Sequence, residues 1–244
     1  RAFDITYEDA SGSQQYVHQT TYGMSERLLG AIVASHGDDR GLVMPPSVAP
    51  VQVVVIPIIS KGDSSDVISE SERITSELKA AGIRVRLDSR DIRPGQKYYD
   101  WEIKGVPLRM EIGPRDLANN SVMCVRRTGG KQSHSMDNLV DTVRSELDSI
   151  GEEIKQQSTD HFNSRIKTLP AFTVDGTDLI FDQAIEKGTV YEMAFDGNDA
   201  EAEMIEKGTD LSFLGDSTTA YKKKVPCVFT GKPTTRRVFL AKPY

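Results

Sequence analysis

The sequence has little of what membrane and disulfide-rich proteins need. Its two cysteines, Cys124 and Cys227, lie far apart, which excludes a disulfide scaffold and favours a reducing, cytoplasmic location. The longest largely apolar run, Val51–Ile59, is far shorter than the roughly 20 residues of a membrane-spanning helix. No apolar stretch of the secretory type follows Arg1. We therefore expect no membrane partner, and we interpret the start at Arg1 as the mark of an internal piece of a longer chain.

The composition is that of an ordinary folded protein. Hydrophobic residues make up 38% and charged residues 27% of the 244 residues, which excludes a disordered or collagen-like chain. A chain of this length can bury a core without disulfides or metals, either as one large domain or as two to three small ones.

Charge is unevenly distributed along the chain. The formal net charge of −6 argues against non-specific binding to nucleic acids, and DNA is not an expected partner. Between Ile83 and Met136, however, basic residues outnumber acidic ones by about two to one, and Tyr221–Tyr244 is basic again. Such segments are compatible with a defined phosphate-binding face, the alternative being a solvated surface of uneven charge.

The first block predicts a strand, a turn and a helix. Gln15–Tyr22 is rich in β-branched and aromatic residues and predicts a strand that Gly23 ends. Ser25 is then a suitable cap for a helix whose apolar residues recur at helical spacing and which ends near His36. A stretch rich in glycine and proline follows at residues 37–50 and predicts a linker.

The second block predicts a βαβ unit with further strands. Val51–Ile59 is apolar on both faces, as a buried parallel strand would be, and Asp66–Ala81 has the periodicity of a helix that Gly82 ends. A strand is predicted over Ile83–Leu87. Further on, the predicted elements are strands at 108–112 and 121–126 and an amphipathic helix over 136–150. In the first of these strands, Arg109 and Glu111 are expected to face away from the core.

The third block is less regular. It predicts a polar helix at its start, a helix near Asp178–Lys187 and a strand over Arg237–Leu240.

The turn at Gly23–Arg27 is the first segment with a chemical interpretation. A helix N-terminus offers free N–H groups to an anion, and an arginine in the first turn can pair with a phosphate. Taken alone, the same pattern is also a common structural junction.

Two sets of segments together carry a family resemblance. The first set is Gln19–Arg27, His36–Leu42 and Pro45–Pro50; the second is Arg93–Lys97, Trp101–Arg109, Glu111–Asp116 and Val125–Arg127. The first set resembles the third signature motif of class II aminoacyl-tRNA synthetases, specifically prolyl-tRNA synthetase of the archaeal/eukaryotic type. The second resembles the anticodon-binding domain of that enzyme. The end of the chain, Gly231–Tyr244, resembles its C-terminal domain.

The resemblance implies an ATP site in the first block. It assigns Gly23, Ser25 and Arg27 to ATP, with Arg27 as the catalytic residue and Mg²⁺ on the phosphates. His36 could act as an acid or base, but a residue that ends the helix is the favoured interpretation. The neighbouring aspartates Asp38 and Asp39 could touch Mg²⁺, although a polar turn is favoured.

The resemblance also implies residues that read the two guanines shared by proline anticodons. We call these the anticodon residues; they are Tyr98, Glu102, Arg109, Arg115, Asp116 and Lys131. A carboxylate can accept from guanine N1–H and its amine, a cation can donate to O6 and N7, and an aromatic ring can stack on an unpaired base. For each residue separately, the alternative is a surface salt bridge. Trp101 is expected in the core rather than as a stacking platform.

The last block departs from the family pattern. Many members hold zinc there with four cysteines, whereas here Phe195–Glu201 has no cysteine, and Thr230 stands where a second partner of Cys227 is expected. One thiolate is a poor tetrahedral site, so zinc is unlikely and the metal site is expected to be lost. Tyr244 is expected near the active site, the alternative being a frayed end.

We therefore expect an α/β and α+β multidomain chain. Residues 1–48 would end a class II antiparallel-sheet catalytic domain, 49–150 would form a mixed-sheet α/β anticodon-binding domain, and 151–244 a small α+β domain. The expected function is that of a prolyl-tRNA synthetase, a cytoplasmic homodimeric ligase of protein biosynthesis that joins proline to tRNA(Pro) with ATP. The fragment alone would be inactive. The alternative is a non-catalytic tRNA- or RNA-binding accessory module, against which the retained Gly23–Arg27 motif argues.

Overall fold

The computed structural model describes residues 3–59, 65–176 and 178–242, and Tyr244 lies outside that range. The architecture is mixed α/β, with several sheets and six helices in the described part. None of the described helices combines the length and the hydropathy needed to cross a membrane. The chain divides into two compact units, Arg1–Gly151 and Glu152–Tyr244. The expected division into residues 1–48, 49–150 and 151–244 stays a prediction.

The first unit begins with a small exposed hairpin. Strand β1 (Thr6–Glu8) pairs antiparallel with β2 (Gln14–Tyr16), and helix α1 (Arg27–His36) follows. The predicted strand over residues 15–22 is too long, because β1 offers a pairing partner only as far as Tyr16. The helix ends where expected, but its N-cap is Glu26 rather than Ser25, and no side chain caps it.

A five-stranded mixed sheet forms the body of the first unit. The elements from Val53 onward are, in chain order, β3 (Val53–Pro57), α2 (Ser65–Ala80), β4 (Val85–Leu87), α3 (Pro94–Ile103), β5 (Leu108–Ile112), α4 (Pro114–Ala118), β6 (Ser121–Arg126), β7 (Lys131–Ser135) and α5 (Leu139–Ser164). The first unit ends within α5, at Gly151. The strand order is β4-β3-β5-β6-β7. Strand β3 runs parallel to β4 and β5, and the remaining pairs are antiparallel. The predicted βαβ unit and mixed sheet are therefore confirmed.

The burial pattern explains why these segments form this sheet. All five residues of β3 are buried, as expected for a strand between two parallel neighbours. Helix α2 turns Val67, Ile74 and Leu78 towards the core. It ends where Gly82 takes a φ of +82° and the Ile83 amide donates to the Leu78 carbonyl at 3.0 Å. This left-handed cap needs a residue without a Cβ.

Other elements of the sheet region also differ from the sequence-based expectation. Helix α3 was not predicted; it begins at Pro94, whose fixed φ suits the first helical turn. Strand β7 was not predicted either, because as a polar edge strand it has no apolar alternation. The helix expected to end at Ile150 and the polar helix expected after it are one helix, α5, since Gly151 does not interrupt it.

Asp88 fixes the position of α3. Its buried carboxylate accepts hydrogen bonds from Trp101 Nε1 at 2.7 Å and from Arg90, and its carbonyl accepts one from Lys97 Nζ at 3.1 Å. Burial alone would raise the pKa of Asp88, but the hydrogen bonds from Arg90 and Trp101 outweigh it and lower the pKa to about 2. Trp101 packs on the cluster of Val54, Ile56 and Val106. Trp101 is therefore partly buried against the core, whereas its exclusion as a stacking platform stays a prediction.

The second unit contains a four-stranded sheet. Its elements are β8 (Ile166–Thr168), β9 (Phe172–Asp175), β10 (Asp178–Phe181), β11 (Val190–Ala194), α6 (Asp199–Thr209), β12 (Ser212–Asp216), β13 (Val225–Pro226), β14 (Pro233–Thr234) and β15 (Arg237–Ala241). The sheet order is β12-β15-β11-β8, which places β15 in the interior. The strand predicted over residues 237–240 is confirmed. Its core includes Tyr191, Met193, Ile205 and Leu240.

The helix predicted near residues 178–187 is wrong. Asp178–Phe181 is strand β10, which pairs antiparallel with β9 across a turn where Gly176 has a φ of +62°. Leu179 and Phe181 alternate with exposed neighbours, which is the period of a strand. A helix does form further on, α6, which starts where the Asn198 side chain accepts a hydrogen bond from the Glu201 amide.

Asp88→Asn should destabilise the first unit in a pH-dependent way. The carboxyl pKa falls from 3.8 to about 2 on folding, so the carboxylate contributes about 2 kcal/mol above pH 4. That contribution is lost as the pH falls from about 4 through 2, because the folded-state pKa is the depressed one. Urea unfolding followed through Trp101, the single tryptophan, measures the effect.

Asp91→Asn, at an exposed position close in sequence to Asp88, is the matched control and should cost little. Equal losses in the two variants at neutral pH, or a difference that stays constant down to about pH 2, would contradict the role given to Asp88.

Candidate nucleic-acid interface

Two neighbouring cavities lie beside α3 in the first unit. The first cavity has a volume of about 480 Å³ and is lined by residues that include Arg40, Tyr98, Trp101, Glu102, Arg109, Arg127 and Lys131. The second cavity, of about 530 Å³, is lined by residues that include Ile58, Tyr98, Glu111, Gly113, Arg115, Asp116 and Lys131. Tyr98 and Lys131 line both cavities, so the two adjoin. All six anticodon residues predicted from the sequence line one cavity or both.

The sheet register places the basic side chains side by side. Arg109 of β5 stands opposite Val125 of β6, which stands opposite Lys131 of β7. Directly opposite residues on neighbouring strands lie about 5 Å apart and share a face. Glu111 lies two residues beyond Arg109 on β5, hence on the same face.

Glu111 connects the groups of this face. The residue is only 8% exposed, and its side chain accepts hydrogen bonds from Arg109 Nε at 3.0 Å and from Lys131 Nζ at 3.3 Å. The Arg109 guanidinium lies 4.0 Å from the centre of the Tyr98 ring. Burial and the negative charge of Glu111 raise the pKa of Tyr98 to about 12. Glu111 also accepts a hydrogen bond from the Tyr98 hydroxyl. Tyr98 therefore keeps its proton at neutral pH.

Glu102 carries the carboxylate of the first cavity. It lies near the end of α3, and its Oε1 atom accepts from Arg40 Nη1 at 2.9 Å. The Trp101 ring contributes to the wall of the cavity, with Lys104 Nζ 4.7 Å from its centre. The first cavity thus combines a carboxylate, a guanidinium, an ammonium group and a phenol ring within one concave surface.

The second cavity offers a different pair of groups. Asp116 lies in α4, and its Oδ2 atom accepts from the Gly113 amide at 2.8 Å, which fixes the carboxylate at the start of the helix. Arg115 is exposed, and its side chain makes no hydrogen bond or ion pair with the described residues. The cavity therefore presents a fixed acceptor next to a free cation.

Chemically, each cavity holds the groups needed to recognise a single-stranded base. A carboxylate accepts from two donors on one base edge, an arginine or lysine donates to two acceptors, and a tyrosine ring stacks. The separate salt bridges considered as the alternative are also present, since Arg109 and Lys131 both pair with Glu111.

Two residues of this site were missed by sequence reasoning. Glu111 could have been found, because it stands at i+2 from Arg109 in a predicted strand. Arg40 left no such signal, since it lies 62 residues before Glu102 in the chain.

The predicted ATP residues occupy an exposed segment. Gly23 and Ser25 lie just before α1, and Arg27 is its first residue. The side chains of Ser25 and Arg27 make no hydrogen bond or ion pair with the described residues. Their role stays a prediction. His36 ends α1, as the favoured interpretation required.

Asp38 forms the expected polar turn. Its side chain accepts from the Arg40 amide at 2.9 Å, and its amide donates to Gly41 at 3.0 Å. It also accepts two hydrogen bonds from Arg127, at 2.8 and 2.5 Å. These bonds hold the pKa of Asp38 well below its usual range.

Cys227, in the second unit, has the surroundings of a hydrogen-bonded thiol. Its buried Sγ atom accepts from the amides of Asp196 at 3.3 Å and Thr230 at 3.4 Å. Burial would raise its pKa, but the hydrogen bonds from Thr230 and the neighbouring amides outweigh burial and lower it. Within the described ranges no three His, Cys, Asp or Glu side chains come together as a metal site. The donor set does not fit a four-thiolate zinc site, and loss of zinc stays a prediction.

Comparison with known proteins shows what this chain is similar to. A family profile described as "Anticodon binding domain" matches residues 52–146, which include both cavities except Arg40. The proline–tRNA ligase of Thermococcus kodakarensis is 44% identical over 227 residues, which cover 93% of this chain and 46% of the relative. That of Methanocorpusculum labreanum is 44% identical over 234 residues, covering 95% and 48%.

A third relative extends the match to the whole chain. The proline–tRNA ligase of Methanosarcina mazei is 41% identical over 247 aligned positions, covering 100% of this chain and 50% of the relative. The chain thus spans about half the length of the curated relatives it matches. Over nearly its whole length the chain is similar to about half of archaeal proline–tRNA ligases, and its residues 52–146 match the anticodon binding domain.

Proposed function

We propose that this chain is the tRNA-recognising part of a prolyl-tRNA synthetase, and that its two cavities bind the two guanines shared by proline anticodons. The whole enzyme would activate proline with ATP to prolyl-adenylate and then transfer the prolyl group to tRNA(Pro). The observation that carries the proposal is the convergence of all six anticodon residues on two adjoining cavities of an anticodon-binding domain.

The groups of each cavity suit one guanine. In the first cavity, Glu102 would accept from N1–H and the exocyclic amine, while Arg109 and Lys131 would donate to O6 and N7. In the second, Asp116 would be the acceptor and Arg115 the donor. Tyr98 borders both cavities and would stack on a base, because its hydroxyl is held by Glu111 and its ring orientation is thereby fixed.

The first block would serve the chemical step in the intact protein. Ser25 and Arg27 would hold ATP above Gly23, with Mg²⁺ supplying further charge neutralisation on the phosphates. Arg27 begins a ten-residue helix, and its guanidinium has the geometry that suits a triphosphate. We further propose a cytoplasmic homodimer, as the resemblance implies.

The proposal predicts that the chain discriminates between anticodons. Binding to a tRNA(Pro) transcript should weaken by more than roughly 2 kcal/mol when the two anticodon guanines are replaced by adenines, since each good base contact contributes about 1–3 kcal/mol. Fluorescence anisotropy at fixed salt measures it, because phosphate contacts make affinity strongly salt-dependent. Equal affinity for both transcripts would favour the accessory RNA-binding module instead.

Glu102→Gln tests the first cavity directly. The substitution keeps the shape but removes one acceptor, so the discrimination between the two transcripts should fall about tenfold. Glu77→Gln is the matched control, because Glu77 is also a surface carboxylate paired with an arginine, at 2.8 Å, but lies on α2. A Glu102→Gln variant that discriminates as well as the control would exclude Glu102 from base recognition.

Glu111→Gln should distinguish the role of Glu111 in orienting Arg109 and Lys131 from the effect of its negative charge on RNA affinity. Arg109 and Lys131 would lose the carboxylate that orients them, so discrimination should fall, while affinity for the guanine-replaced transcript should stay equal or rise because one negative charge is removed. The same anisotropy titrations measure both quantities. A fall in affinity for both transcripts by the same factor would mean that Glu111 only stabilises the fold.

The purified chain should contain no stoichiometric zinc. Atomic emission spectrometry of protein refolded with added zinc and then dialysed measures the bound metal, and Cys227→Ser should not alter it. Zinc at one equivalent that disappears in Cys227→Ser would overturn the predicted loss of the metal site.

A further inference from the structure

Arg40 contacts Glu102 from outside the matched domain. Its Nη1 atom donates to Glu102 Oε1 at 2.9 Å, and its Nη2 atom lies 3.4 Å from Asp38 Oδ2. Arg40 also lines the first cavity. The other carboxylate oxygen of Glu102, Oε2, accepts no hydrogen bond from the described residues, so it remains available to a ligand.

The segment that carries Arg40 is fastened to the end of α3. We call residues 38–44 the strap. The Leu42 amide donates to the Ile103 carbonyl at 3.0 Å, and the Met44 amide donates to the Gly105 carbonyl at 3.2 Å. A Cβ on Gly41 would lie 2.6 Å from Ile103 Cα, and Gly41 has a φ of +125°. The backbones approach so closely that the position of Arg40 relative to Glu102 is fixed by main-chain contacts.

An ion pair between the buried Arg127 and the partly exposed Asp38 fixes the other end of the strap. Arg127 has a side chain that is 2% exposed, and it donates to both carboxylate oxygens of Asp38. The Nε atom of Arg127 donates to the backbone carbonyl of Glu102 at 3.2 Å. Arg127 therefore donates both to Asp38 of the strap and to the backbone of Glu102, the residue whose carboxylate accepts from Arg40. Removing Asp38 would leave the buried charge of Arg127 uncompensated.

From this geometry we infer that Arg40 is a positioning residue for anticodon recognition, which holds the Glu102 carboxylate in the orientation that accepts from guanine. The inference rests on the function proposed above. An unrestrained glutamate has several rotamers, and fixing one of them on binding costs free energy. Arg40 fixes it beforehand through Oε1, whose second lone pair, together with Oε2, remains open to the base.

The contact contributes more to recognition than to stability. The Arg40 side chain is 56% exposed, and exposed ion pairs stabilise folded proteins little. Substitution of Arg40 should therefore leave folding intact, and its effect should appear in the discrimination between bases. A direct contact of Arg40 with a phosphate would instead change the salt dependence of binding.

The test compares Arg40→Met with Arg73→Met. Arg73 is 53% exposed and pairs with Glu70 and Glu77 on α2, so the control removes a similar charge from a similar surface ion pair. Affinities for the tRNA(Pro) transcript and for its guanine-replaced form are measured for each variant and the parent. The expected result is that Arg40→Met lowers the ratio of the two dissociation constants about fivefold and Arg40→Lys by less, with Arg73→Met within about twofold of the parent.

Two further measurements make the result specific. In the Glu102→Gln background, Arg40→Met should add nothing, because both substitutions act through one carboxylate. The slope of affinity against salt should be the same with and without Arg40. A slope smaller by about one would mean that Arg40 contacts a phosphate and would overturn the inference.

The other outcomes are equally decisive. An unchanged ratio in Arg40→Met, in a parent that does discriminate, would overturn the role of Arg40 alone. A raised ratio would show that Arg40 competes with the base for Glu102 and would overturn it as well. A parent without discrimination would instead remove the proposed function and this inference together.

Discussion

The carboxylate of Glu111 is the constraint on which the candidate interface depends. A charge that is almost fully buried must be neutralised by partners of good geometry, or the cost of removing it from water is not recovered. Arg109, Lys131 and Tyr98 provide those partners from two strands and a helix. The need to satisfy one buried group therefore draws together three of the six anticodon residues.

Helix α3 is held in place by a second buried carboxylate. Asp88 bonds to the Trp101 indole and to Arg90, and its carbonyl bonds to Lys97, so α3 is fixed at its beginning and in its middle. The strap fixes its end through Leu42 and Met44. Tyr98 and Glu102 lie between these attachments. Their backbone positions are thus set before a ligand arrives, which lowers the ordering cost of binding.

Much of the fold follows from local patterns, but the site depends on contacts that such patterns do not encode. The strand at Val53–Pro57 and the helix at Ser65–Ala80 have clear periodicity and were predicted. Strand β7 is not predicted because it is a polar edge strand without apolar alternation. Helix α3 is not predicted because its position depends on contacts with Asp88, which lies outside the helix. The six anticodon residues came from a family resemblance. Arg40 could not be found in either way, because its partner is 62 residues distant and only the folded chain reveals it.

The pairing of charges explains how a basic segment can serve discrimination more than affinity. Arg109 and Lys131 share Glu111, Arg40 is paired with Glu102, and Arg127 is paired with Asp38. Cations that are already paired attract phosphates weakly, and their hydrogen bonds are directional, so a base gains only when its donors and acceptors match those of the cavity. A base that does not match would leave buried polar groups without partners, at a cost larger than the gain from a matched contact. In the proposed recognition of an anticodon, the acidic residues of the interface would therefore be as necessary as the basic ones.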